Sequence, residues 1–401
     1  MFNSLKFKVI LFGFIFTFFS SFGQSYFLGL FNSSIREALS ITHGQFGSIY
    51  ASATLCSSLL LIWVGKKIDD VNIFKFAFFV TILLSFACFF FSRVTSVFLL
   101  FIAIFLMRFS GQGMMSHTAS TTISRYFTKT RGRALSISWF GLSSAEFIMP
   151  VLMVYLLTII DWQNLWLIFS ISVLIILPIV SFLLIKNLNL DSREANDENI
   201  KHVEIKQWRR RDVLKDYRFY IISSNMLAMP WIFTGFAVFQ SFVQTSKGWG
   251  PYVIAQSFMS YSIFSVLTLF LSGFLIDKFT SRKLLIYMNI PLLLSVIVLF
   301  LFDTPITAFL FLGLVGISNG FANILGSSTW AELYGVKYLG SIKALTTALM
   351  VFATAFGTAL FGYLIDIGFT VGDIAIVSGT YIFISLILLF MVRKKLNPVI
   401  I

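Results

Sequence analysis

Long apolar runs separated by short polar breaks recur along the whole chain, without the strict alternation of a half-buried strand. A helix needs about 20 apolar residues to cross roughly 30 Å of hydrocarbon. Runs of that order lie near residues 9–31, 44–65, 74–92, 96–122, 134–158, 163–185, 219–244, 252–276, 284–302, 306–333, 341–365 and 374–392. The pattern predicts an all-α membrane protein with twelve transmembrane helices. The first run follows Lys6 and Lys8, as the core of a secretory signal would. It continues through Leu30 and Phe31, contains no Ala-x-Ala site and leads directly into a second run, so a retained helix is expected.

Composition decides between buried and membrane helices. Hydrophobic residues make up 58% of the chain, charged residues 12%, and there are 49 Phe, values far from those of soluble domains. The charge then sets an orientation, because cationic loops stay cytoplasmic. With the N-terminus inside, 26 of the 30 Lys and Arg fall on the cytoplasmic side; Arg36, Arg93 and Lys247 fall outside, and Arg108 lies within a span. Both termini are expected to be cytoplasmic, in a plasma membrane of the bacterial inner-membrane kind. The net charge of +13 thereby reads as an orientation signal, and nucleic acid is not an expected partner. The partners expected are the lipid bilayer and a small-molecule substrate, with the chain acting as a monomer.

The longest polar stretch, Lys186 to Arg218, carries nine cations and seven acids and divides the chain into residues 1–186, a linker at 187–218, and residues 219–401. It reads as a solvated cytoplasmic linker with an interfacial helix, or as a surface for anionic headgroups. The halves repeat at an offset near 208. "GKKID" (Gly65 to Asp69) returns as "GFLID" (Gly273 to Asp277), Gly113 is answered by Gly320, and Gly132 by Gly340. Matches in the same order and on the same membrane side indicate two parallel six-helix pseudo-repeats around a central cavity.

These segments resemble the major facilitator superfamily, over the full length. Its signature loop, Gly-x-x-x-Asp-(Arg/Lys)-x-Gly followed by cations, stands here as "GKKIDDVNIFK" and "GFLIDKFTSRK". In the first copy Asp70 replaces the cation and Asn72 the second glycine. The resemblance implies gating roles for Gly65, Asp69, Gly273 and Asp277, with Lys278 and Arg282 near the second aspartate; the alternative is a plain polar turn. "SSFGQSYFLGLF", "RFSGQG", "RYFTKTRGRALSI" and "KGWGPYVIAQSF" further resemble the monocarboxylate and oxalate/formate porter branch, although its arginine motif is usually spaced Arg-x-x-x-Gly, and here it is Arg-x-x-Gly.

Arg108 stands about twelve residues into the fourth span, about 18 Å deep at 1.5 Å per residue. A charge there must face the bundle interior and find a partner or an anionic ligand. Glu146, at a similar depth in the antiparallel fifth span, is the expected partner. Either the two form a permanent ion pair that fixes packing, or an anion binding at Arg108 loosens the pair and Glu146 takes a proton. The spans that line the cavity in this fold carry further polar candidates for the substrate: Gln24, Tyr26, Gln112, Asn225, Trp231, Gln240, Asn319 and Asn323. Each could equally be an interhelical hydrogen bond. His117 lies about half a turn out of phase with Arg108 and could relay protons. Glu332 and Asp366 sit at span ends and suit gating or capping. Cys56 and Cys88 lack metal or redox spacing and read as packing residues. No Walker loop, metal cluster or catalytic triad is present in the sequence, so no cofactor and no enzymatic chemistry are expected. The function expected is secondary transport of a small organic anion such as a monocarboxylate, proton-coupled. Drug or metabolite efflux on the same fold is the alternative, though the fifth span reads "GLSSAEFIMP" without a Gly-Pro antiporter pattern. A non-transporting membrane sensor would append a soluble domain.

Overall fold

The structure, a computed structural model, describes residues 5–127, 130–186, 206–335 and 337–398; the side chains of Asp69, Arg131, Asp277 and Ser327 also lie outside it. Among the described residues the chain is helical without strands. Twelve helices are long and apolar enough to cross a membrane: α1 (Leu5–Gly29), α2 (His43–Ile68), α3 (Ile73–Phe91), α4 (Val97–Tyr126), α5 (Gly132–Leu156), α6 (Trp162–Ile185), α7 (Tyr217–Val238), α8 (Val253–Ile276), α9 (Ser281–Leu301), α10 (Ile306–Tyr334), α11 (Leu339–Asp366) and α12 (Val371–Lys395). They match the apolar runs one for one. The seventh run is shorter as a helix than its apolar length suggests: the chain turns at Phe239, and Gln240–Ser246 is a separate helix.

Polar residues at the starts of the runs set several boundaries. Thr42 and Gln45 form a capping box on α2, and Thr370 and Asp373 form one on α12. Asn72, Ser96 and Asp216 accept from the first amides of α3, α4 and α7. Each cap satisfies an amide that the helix itself leaves unpaired, worth about 1 kcal/mol.

The chain forms two compact units, Met1–Glu198 and Asn199–Ile401. In the first, α1 packs on α5, α2 on α4 and α3 on α6; in the second, α7 packs on α11, α8 on α10 and α9 on α12. Close-approach glycines explain part of this pairing. A Cβ on Gly141 of α5 would collide with the Phe14 carbonyl of α1, and one on Gly357 of α11 with the Trp231 carbonyl of α7. The same junction is thus built twice. On α10, a Cβ at Gly320 would stand 2.6 Å from the Ser265 carbonyl oxygen of α8. Hydrocarbon gives helices no hydrophobic reason to associate, so small residues that let backbones meet do that work. Ser85 and Ser170 add a reciprocal link between α3 and α6, each hydroxyl donating to the other's carbonyl at 2.9 and 2.8 Å.

One end of the second unit is tied to residues that follow α12. Arg218 at the start of α7 ion-pairs with Asp216 at 2.8 Å and donates to the carbonyls of Lys395 and Asn397 at 3.1 and 2.9 Å. Arg282 on α9 donates to the Leu396 carbonyl and to Asn397 Oδ1 at 3.1 and 2.9 Å. Tyr334 of α10 donates to Asp216 at 3.1 Å, and the Trp208 amide donates to the Tyr334 carbonyl at 3.0 Å.

The α7–α11 contact yields a prediction. Gly357→Val forces a branched side chain against the Trp231 backbone and should lower stability by about 2 kcal/mol; Gly340→Val, where nothing lies within 4 Å, should leave it within about 0.5 kcal/mol. Melting of the two purified variants in detergent checks this, and equal melting temperatures would remove the close-approach argument.

Candidate functional site

Two irregular backbone segments face each other in the first unit. Helix α1 is not continuous: an α-helical stretch ends at Ser20, a single 3-10 turn covers Ser21–Gly23, Gln24 is extended at φ −81° and ψ 150°, and helix resumes at Ser25–Gly29. Helix α4 winds into a π-helical segment over Arg108–Met115, the looser i→i+5 turn that frequents functional sites. The two meet through glycines. A Cβ on Gly111 would lie 2.7 Å from the Gly23 amide nitrogen, and one on Gly23 would strike the Met107 carbonyl and the Gln112 amide.

A broken helix inside a membrane strands backbone groups that water cannot reach. Arg108, 3% exposed, meets that need: its Nη1 donates to the Gly23 carbonyl at 2.9 Å and to Ser25 Oγ at 3.2 Å. Its guanidinium carbon lies 5.4 Å from the centre of the Tyr50 ring on α2, and the Tyr50 hydroxyl donates to the same Ser25 Oγ at 3.0 Å. The Nε–H has no partner among the described residues. Hydrogen bonds from a charged group contribute about 1.5–3 kcal/mol each and a desolvated cation–π contact up to about 2. Together they offset the about 2.5–3.5 kcal/mol that an arginine costs at mid-span on insertion scales.

The expected Arg108–Glu146 ion pair is not formed. Glu146, 8% exposed, stands in no ion pair among the described residues. Similar depth in antiparallel helices did not bring the side chains together, because the freed carbonyl of Gly23 takes the guanidinium. Rings hold the break from outside: Phe22 and Phe27, on either side of Gln24, stack at 5.2 Å, and both lie edge-on to Trp166 of α6 at 6.1 and 5.7 Å. Gln24 and Gln112 are half-buried in the facing segments. His117 is not at the arginine. Its Nε2 hydrogen-bonds the Gly65 carbonyl at 3.0 Å, and Arg125, two turns further along α4, donates to the Ile68 carbonyl at 3.1 Å. Both side chains therefore tie up carbonyls at the end of α2, where cations and donors are favoured.

In the second unit the candidates disperse into packing roles. Asn225 Nδ2 reaches Ser385 of α12 at 3.5 Å, and its carbonyl accepts from Asn289. Trp231 sits edge-on to Phe356, Phe361 and Tyr381. Gln240 donates to the Ala237 carbonyl at 2.9 Å and borders a small apolar cleft with Phe233, Phe236, Trp249 and Phe311. Asn319 donates to Ser265 of α8 at 2.9 Å, whereas Asn323, four residues on, is exposed. Among the described residues no group of three or more His, Cys, Asp or Glu could hold a metal.

Of the repeated loop residues, Gly65 is buried beside His117, Gly273 is half-buried with open space around it, Lys278 is exposed, and Arg282 engages residues after α12. The side chains of Asp69 and Asp277 lie outside the described residues. Glu332, expected to gate or cap, accepts from the Ser281 amide at 2.8 Å and caps α9. Tyr50 and Ser25 escaped the sequence reading. The signal available was a lone tyrosine in the second apolar run and a serine directly after the Gly-Gln pair.

Residues 13–259 match the model of the family described as Major Facilitator Superfamily. Among solved structures the chain is similar to a bacterial homologue of the human lysosomal transporter Spinster, inward-facing and unoccupied, with a TM-score of 0.74 at 14% identity over 98% of each chain. It is also similar to the nucleoside transporter NupG, with a TM-score of 0.69 at 16% identity over 98% of this chain and 99% of that one. No curated protein matches its sequence.

The loop "GFLIDKFT" carries a strained residue. Thr280, where the signature loop has its second glycine, adopts φ 69° and ψ 148°, a region close to glycine-only for a cost of about 1–3 kcal/mol. Thr280→Gly should therefore raise stability by about 1 kcal/mol, read as a higher melting temperature in detergent. A lower one would mean that the threonine's contacts outweigh its strain.

Proposed function

The chain belongs to the Major Facilitator Superfamily, and on that premise we propose that it moves a small organic anion, such as a monocarboxylate, by alternating access with a proton as the coupling ion. Membership makes it a multi-pass membrane transporter rather than an enzyme. The observation that carries the finer reading is Arg108: a buried cation whose partners among the described residues are all neutral, with its Nε–H unpartnered there. Neutral acceptors make the charge tolerable and leave it uncancelled. A carboxylate arriving there gains charge-assisted hydrogen bonds about twice as strong as neutral ones.

Glu146 supports the coupling ion. It is buried without a cation in ion-pair reach among the described residues, a setting in which a carboxyl is expected to bind and release protons as its surroundings change. Gln24, Tyr26 and Gln112 belong to the same two facing segments and are the polar groups nearest in sequence to receive the rest of the molecule. Asn319, whose amide is given to Ser265, has no share in binding in this reading, while the Asn225 Oδ1 and the Trp231 Nε1–H, without hydrogen-bond partners among the described residues, stay as candidates in the second unit. The proposal keeps both termini cytoplasmic in a bacterial inner membrane, on the support of 26 cations out of 30.

Uptake by purified protein in liposomes tests it. Arg108→Ala should cost about 3 kcal/mol of anion binding, on the order of 100-fold; normal transport by a folded Arg108→Ala protein would sink the anion site. An imposed proton gradient should accelerate the wild type and leave Glu146→Gln unaffected. Equal stimulation of both would exclude Glu146 as the coupling residue.

A further inference from the structure

We infer that Arg108 is a latch on the break in α1 as well as an anion-binding group, so that an anion arriving at the guanidinium releases Gly23 and lets the helix close. The inference rests on the anion-site reading of Arg108. Its geometry is that of two hydrogen-bond arrangements sharing the same atoms. In the present one, Gly23 O accepts from Arg108 Nη1, and the Phe27 and Leu28 amides both donate to Gln24 O at 3.2 and 3.0 Å. In a continuous α-helix each amide donates to the carbonyl four residues earlier, so Phe27 would donate to Gly23 and leave Gln24 O to Leu28 alone. Gln24's own amide, now bonded to Ser21 O at 2.9 Å, would move back one carbonyl, and the Ser25 amide would take Ser21 O.

Arg108 holds the chain in the first arrangement because it supplies Gly23 O with the donor that the break removes. A carboxylate is a far better acceptor for a guanidinium than a peptide carbonyl, and Ser25 Oγ, which already accepts from Tyr50 as well as from Arg108, competes weakly. Once the guanidinium turns to the anion, Gly23 O lacks a donor in a setting where an unpaired carbonyl costs several kcal/mol. The donor that a continuous helix assigns to it is the Phe27 amide. Closing the break satisfies that carbonyl and moves Phe27, Tyr26 and the attached aromatic contacts together, which carries the binding event along α1. Ser25 is then a positioning residue: it steadies the guanidinium while the latch is set and competes with the anion for it.

Hydrogen–deuterium exchange by mass spectrometry on the purified full chain, with lactate, oxalate and formate as probes, separates the outcomes. In the wild type, any probe that raises the melting temperature should slow exchange at residues 25–28 by about five- to thirtyfold, the equivalent of one or two backbone hydrogen bonds. Arg108→Met, with no donor for Gly23, should show that slow exchange without a probe. Exchange as fast as the wild type's in a folded Arg108→Met would overturn the latch. If that variant does not fold, Ser25→Ala decides: it should bind the stabilising probe several-fold more tightly and exchange more slowly, and unchanged values in both would equally end the idea. A probe that still stabilises Arg108→Met would instead remove the anion site, while the ligand-free exchange of the same protein judges the latch separately.

Discussion

A backbone carbonyl that loses its helical donor inside a membrane has to be given another, and the first unit is organised around one such carbonyl, that of Gly23. The extended residue at Gln24 frees it, and Arg108 takes it up. The consequences spread outward. Arg108 reaches Gly23 because α4 loosens into a π-helical segment there and because Gly111 and Gly23 let the two backbones meet. The charge this brings into the interior is steadied by the Tyr50 ring and by a serine that bonds to both. Trp166 and the rings set edge-on to it brace the kinked segment from the other side.

The two units solve their shared packing problem alike and their interior chemistry differently. Gly141 against Phe14 and Gly357 against Trp231 are the same helix junction made twice. Around it the first unit places a guanidinium and a carboxyl, whereas the second places an indole among rings and amides turned to serines on neighbouring helices.

The spans and the duplication were legible in the sequence because length, hydropathy and repeated glycines are one-dimensional signals. The interior of the first unit was not. "FGQS" reads as an unremarkable piece of an apolar run, and nothing in "RFSGQGMM" distinguishes a π-helical turn from an α-helical one. The expected Arg108–Glu146 pair failed for a related reason: equal depth was computed for straight helices, and a carbonyl released by an unforeseen break had the better claim on the arginine. His117, by contrast, was rightly held apart from Arg108 on phase alone, although its bond to Gly65 could not be read from spacing. The bonds of Asn225 to Ser385 and of Asn319 to Ser265 follow from hydrocarbon itself, where a polar side chain pairs with whatever polar neighbour it has.

The grip of Arg218 and Arg282 on residues 395–397 sets a timetable for biosynthesis. Asp216 is at hand for Arg218 from the start, but the acceptors at Asn397 lie 179 residues after Arg218 and 115 after Arg282. At about 5–20 residues per second, those waits are roughly 9–36 and 6–23 seconds. During that interval α7 and α9 are inserted but untied at one end, so the second unit is completed as a late, post-insertion event. A chain interrupted a few codons short would leave Arg282 without the acceptors at Leu396 and Asn397 and Arg218 with Asp216 alone, a form that quality control has a physical basis for recognising.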